Sequence, residues 1–191
     1  MRPRRGVLFL LFTHSPEPNS VPGIYWWLRH PIFACLGLRP VFAQHTRAED
    51  EALRRWGRGR RTVVEIGVGE GASALALREE LSPNGVLYLI DPFHLSTLPW
   101  VNAPKRAARA AVAQCRKGTV VWIEEFSSQT ACKWETPIDL LFLDGDHSED
   151  AVWRDWENWH RFIIPGGLFV FMTQGCFRAD GQVRNTGRSR L

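Results

Sequence analysis

The sequence predicts an α/β protein: a parallel sheet of about five strands with helices packed on both faces. Two observations carry this. From residue 61 onward short apolar runs alternate with longer helix-forming stretches, and the apolar runs show no polar alternation, as expected of strands buried on both faces. The glycines and acids fall just after those runs, and open parallel sheets bind ligands at the carboxyl ends of their strands.

The elements follow in order. Residues 62–66 are a β-branched run ending in glycines, and 72–81 are rich in strong helix formers. An apolar strand over 85–90 stops at Asp91, and an alanine-rich helix is expected over 103–115. Strands are expected at 119–123 and 138–143, a helix at 149–162 and a last strand at 168–172. A helix at 46–56 begins with acids and ends with arginines, which suits the helix dipole. In the helix 149–162, Val152, Trp156 and Trp159 share a face with Ile163 at 3.6-residue spacing, with Trp153 alongside. Packing against the sheet explains that stripe better than a binding platform.

At 191 residues the chain suits one domain, with a core that needs no staples. Three segments are expected: a basic and apolar extension at 1–45 with helical segments, a ligand-binding domain at 46–172, and a polar tail at 173–191 that reads as disordered. Basicity belongs to the ends. Residues 1–61 hold eleven arginines against four acids, and 172–191 hold four arginines against Asp180. No Lys/Arg run is interleaved with aromatics, so nucleic-acid binding is not expected. The apolar stretch 24–38, broken by Pro31, suits a docking helix or, as the second reading, an interfacial segment touching a membrane surface. Residues 1–12 imitate the start of a signal peptide, but the apolar run is short and no small-residue cleavage site follows closely. Four scattered cysteines without a CxxC pair fit reduced thiols, and with the rest point to the cytoplasm.

The chemistry concentrates in two places. The first is the loop from Glu65 through Gly67, Gly69 and Gly71, between a strand and a helix N-terminus. Its glycines permit positive φ and a close backbone approach to a ligand. The spacing is GxGxG rather than the dinucleotide GxGxxG, and an acid before the first glycine suits a cationic ligand better than a polyphosphate. That counts against a nicotinamide or nucleotide-sugar ligand. Asp91, ending the next strand, could accept ribose hydroxyls or simply open an Asp-Pro turn. The second place is Asp144, Asp146 and His147 after the fourth strand. They could bind a hard cation, position a hydroxyl or accept its proton, or else form a turn in which Asp146 and Ser148 cap the next helix.

These residues carry a resemblance. The run VEIGVGEGAS at 64–73 resembles motif I of class I S-adenosylmethionine (SAM)-dependent methyltransferases, whose fold is Rossmann-like, and YLID at 88–91 resembles their motif II. IDLLFLDGDHS at 138–148 with PGGLFVF at 165–171 is similar to the subgroup related to macrocin O-methyltransferases and cephalosporin-hydroxylase-like proteins, as is PVFAQHT at 40–46. The resemblance implies SAM as cofactor, a ligand with an ammonium and a sulfonium, and a small molecule, sugar or natural product as acceptor. Glu65, Gly67, Gly69, Gly71 and Asp91 would contact it, with Phe126 and Ser127 near the adenine. Asp144 or His147 would assist deprotonation of the acceptor.

The sequence departs from that pattern twice. Metal-dependent members pair an acid after the fourth strand with further acids or amides closing the fifth, and the subgroup usually ends that strand in Phe-His-Asp. Here it reads Phe171, Met172, Thr173, Gln174. Asp144 and Asp146 would hold Mg²⁺ only weakly with water completing the shell. The usual antiparallel strands after the fifth strand are also missing, as in a truncated product or a chain whose sheet a partner completes. An uncovered fifth strand would expose an edge and invite homo-oligomers. Both departures also suit a degenerate SAM-binding domain without turnover.

Overall fold

The structure is a computed structural model that describes residues 8–13, 33–34, 36–37, 41, 45–93, 102–146 and 148–173. It contains strands β1 (Leu8–Thr13), β2 (Thr62–Ile66), β3 (Val86–Ile90), β4 (Thr119–Ile123), β5 (Ile138–Leu143) and β6 (Ile163–Thr173). The helices are α1 (Arg47–Gly57), α2 (Ala72–Glu80), α3 (Ala103–Val112), α4 (Ser127–Ala131) and α5 (Glu149–Trp159), the last followed by a 3₁₀ turn, His160–Phe162. The strands form one sheet in the order β1-β6-β5-β2-β3-β4, and every pairing is parallel.

Each β2–β5 strand expected from the apolar runs is present within a residue of its expected bounds. Alternate strand residues feed two cores. Val63, Leu87, Leu89, Phe142 and Val170 pack with Leu53, Leu77 and Ala108 of α1, α2 and α3. Val64, Ile90, Leu141 and Phe169 pack on the other face with Ala131, Trp134, Val152 and Trp159. The tryptophan stripe of α5 is core: Trp159 is fully buried, Trp156 partly so, and Trp153, 56% exposed, turns outward.

Two findings correct the sequence reading. Residues 8–13, placed in an extension with helical segments, form β1, which joins the expected five strands as a sixth. β1 lies parallel to β6, Leu8 opposite Leu168 and Thr13 opposite Thr173, on the flank expected to be uncovered. Among the described residues the outermost strands are therefore β1 and β4. The last strand also starts five residues earlier than expected, at Ile163. The Pro165–Gly166–Gly167 segment is taken up by a register shift in its pairing with β5, with Gly166 at φ +81°. The polar residues 174–191 and most of 24–38 lie outside the described residues. Among the described residues no helix is long and apolar enough to cross a membrane.

The site follows from topology. The chain runs outward from β2 through β3 to β4, then returns to the other side of β2 for β5 and β6. The crevice between the carboxyl ends of β2 and β5 is the switch point at which such sheets hold ligands.

Candidate active site

A cavity of about 880 Å³ opens at that switch point. Its walls come from the loop after β2 (Gly67–Ser73), the end of β3 (Asp91–Phe93), the starts of α3 and α4 (Asn102, Phe126, Ser127), the turn after β5 (Asp144–Asp146) and α5 (Arg154, Asp155). His45, just before α1, closes one side.

All three loop glycines adopt left-handed φ: +84° at Gly67, +53° at Gly69 and +84° at Gly71. Two of them are also packing sites. A Cβ on Gly67 would stand 2.5 Å from the Cα of Gly145, and one on Gly71 would stand 2.8 Å from the Cα of Ala108 in α3. The loop thus fits against β5 on one side and α3 on the other, and the backbone of Asp144 is tied in by its N–H to Ile66 O at 2.8 Å.

Asp91 holds the loop. Its Oδ2 accepts the N–H of Val68 at 2.8 Å and of Gly69 at 3.3 Å, and its Oδ1 accepts the N–H of Phe93 at 2.7 Å. An ionised carboxylate offers about four lone-pair sites, so roughly one remains for a ligand unless the long Gly69 bond is exchanged. The turn reading and a ligand role therefore coexist in this residue, which also lines the cavity.

Glu65 lies behind the wall rather than in it. It is fully buried on β2, its Oε1 accepts the hydroxyl of Ser73, and its Oε2 has no hydrogen-bond partner among the described residues. Burial pushes its carboxyl well above the usual range; the Ser73 bond opposes this, and the charges of Asp144 and Asp91 add to it. Asp144, in the cavity wall, is pushed up to about 7, first by burial and then by the charge of Glu49. Asp146 is exposed at the cavity mouth, and its Oδ1 accepts the N–H of Ser148 at 2.9 Å, so the turn at the head of α5 is real. His147 lies outside the described residues.

Phe126 is 51% exposed on the cavity wall, and Ser127 beside it donates its hydroxyl to Asp155. Burial also raises the Asp155 carboxyl, against that bond. Thr173 ends β6 where the sequence lacks a carboxylate. Among the described residues no three His, Cys, Asp or Glu side chains are placed to hold a metal. Asp146 is partly committed to the Ser148 amide, so the donor set suits a hard divalent cation poorly.

The structure adds residues that sequence reading did not single out: His45, Asn102, Arg154 and Asp155. Asn102 caps α3 and donates to Phe93 O at 2.6 Å, fixing the far rim. A polar residue ahead of an alanine-rich helix was the available signal for it. For His45 the signals were its position beside a helix start and its place in the PVFAQHT segment at 40–46.

A family model described as a methyltransferase domain matches residues 64–171. Among solved structures, the chain is similar to the O-methyltransferase TomG from Streptomyces achromogenes, involved in tomaymycin synthesis and solved with SAM. The identity is 19% and the TM-score 0.54, over 73% of this chain and 62% of that one. It is also similar to an O-methyltransferase from Bacillus cereus solved with SAH (16%, TM-score 0.53, 80% of this chain and 68% of that one). A methyltransferase from Geobacter sulfurreducens matches at 18% identity and TM-score 0.52, over 76% and 67%. At these identities the likeness is one of fold, and the chain spans less than two thirds of the Streptomyces enzyme's length.

Proposed function

The chain belongs to the methyltransferase-domain family, and from that premise we propose that it transfers a methyl group from SAM to a hydroxyl of a small molecule, sugar or natural product. The observation that carries this is the acidic character of the switch-point cavity. Glu65 and Asp144, at and behind its wall, are both pushed up by burial and by neighbouring negative charge. A cation placed there would favour their ionised forms and be attracted in turn. A nucleotide polyphosphate would meet the opposite field. The cavity volume lies within the ~300–1,000 Å³ typical of small-molecule sites.

The residues present fit SAM by this test. Gly67–Gly71 would face its amino-acid portion, and Glu65 Oε2 is an unsatisfied acceptor immediately behind. Asp91 would take the ribose hydroxyls, Phe126 and Ser127 the adenine. When bound, SAM supplies an electrophilic methyl group, and the protein's work is to hold the acceptor oxygen in line with it. Asp144 lines the same cavity and would orient the acceptor hydroxyl.

The experiment is incubation with methyl-labelled SAM and a panel of catechols, phenols and sugars, read by mass spectrometry. Labelled methyl ethers support the reading. Binding of SAH with no labelled product from any member would leave a cofactor-binding domain without hydroxyl transfer.

A further inference from the structure

We propose that His45 is the general base of the transfer, taking the acceptor's hydroxyl proton on Nδ1; this rests on the hydroxyl-acceptor reading above. His45 stands immediately before α1, where a capping box fixes the backbone. Thr46 N–H donates to Glu49 Oε2 at 2.5 Å, and Glu49 N–H donates to Thr46 Oγ1 at 3.3 Å. The side chain is only 3% exposed, yet it forms part of the cavity wall, and among the described residues it is the cavity's one imidazole.

Its ring is oriented by a chain of polar contacts leading away from the cavity. Nε2 lies 3.2 Å from Asp50 Oδ1, Asp50 Oδ2 accepts Arg54 Nε at 2.7 Å, and the Arg54 guanidinium also pairs with Glu79 of α2. A carboxylate facing Nε2 makes that nitrogen the protonated one and leaves a lone pair on Nδ1. Nδ1 makes no hydrogen bond to a described residue. An imidazole anchored at one nitrogen to a carboxylate, in the wall of a substrate cavity, is the arrangement of a positioned base. In the step, the acceptor oxygen bonds to the methyl carbon as the carbon–sulfur bond breaks. The sulfonium becomes a neutral thioether, and the hydroxyl proton passes to Nδ1, giving an imidazolium facing Asp50.

Two measurements test this. Nitrogen-15 NMR of the histidine rings in the full chain with SAH bound should show the His45 proton on Nε2; a proton on Nδ1 overturns the proposal whatever any variant does. Methyl transfer from labelled SAM to the panel of catechols, phenols and sugars should fall about 10²–10⁴-fold in His45→Ala, the range for loss of a general base. SAH affinity should be unchanged, and added imidazole should restore part of the rate. Asp50→Asn, which removes the negative charge facing Nε2 while keeping the ring, should also slow transfer without weakening SAH. Transfer at the wild-type rate by His45→Ala removes the base while leaving the hydroxyl-acceptor reading intact. A wild type that binds SAH but methylates no panel member removes both.

Discussion

Gly67 and Gly145 meet backbone to backbone where the chain crosses from one half of the sheet to the other. A Cβ on Gly67 would lie 2.5 Å from both the Cα and the N of Gly145. The contact is one-sided: a Cβ on Gly145 would find its nearest neighbours at 3.8 and 3.9 Å. Gly67→Ala combines that clash with a φ of +84° and should cost about 2–5 kcal/mol of stability. Gly145→Ala should stay within about 0.5 kcal/mol. Urea unfolding of the two variants checks this, and equal stabilities would show that the crossing does not depend on the close approach.

The α5 tryptophans make a second contrast. Trp159 is fully buried, with its ring 5.2 Å from that of Trp134, whereas Trp153 is 56% exposed. Trp159→Ala should lose about 3–5 kcal/mol and Trp153→Ala less than about 0.5 kcal/mol. Thermal unfolding separates them, and a large loss at Trp153 would mean that something covers that face.

What could be read from the sequence was what local patterning determines. Runs such as Val86–Ile90 and Leu140–Leu143 carry no charged residue because both faces of a central strand are covered, and each lies beside an unmistakable helix. β1 has the same composition, but nothing near it says which strand it joins; its partner lies more than 150 residues away, and parallel pairing leaves no hairpin signal. The early start of β6 was hidden by Pro165–Gly166–Gly167, which ordinarily end a strand. In the site, Glu65 and Asp91 were legible as residues but not their depth. Glu65 lies behind the loop and Asp91 is bonded to loop amides, distinctions that only packing makes. His45 lay within the PVFAQHT segment, but that segment gave the residue no role until the fold brought it to the cavity.

Asp144 should make stability fall with rising pH. Its carboxyl rises from 3.8 to about 7 on folding, so between those values the native state keeps a proton that the unfolded chain has released. That contribution is full below about pH 4 and is lost as pH climbs to about 7, by up to about 4 kcal/mol. Glu65 acts in the same direction. Asp144→Asn should match the wild type in urea unfolding at about pH 3 and exceed it at about pH 8. Parallel curves for the two proteins would show that Asp144 is not buried as described.

Calorimetric titration of SAH into the wild type and Asp91→Ala decides whether the switch-point cavity takes SAM and its product. Loss of the carboxylate should weaken binding by about 1–3 kcal/mol, the usual range for a hydrogen bond to a charged group, in a variant whose circular dichroism is unchanged. Saturable one-site binding to the wild type is expected, with that weakening in the variant. No heat of binding from the folded wild type, or the same affinity in Asp91→Ala, would contradict it.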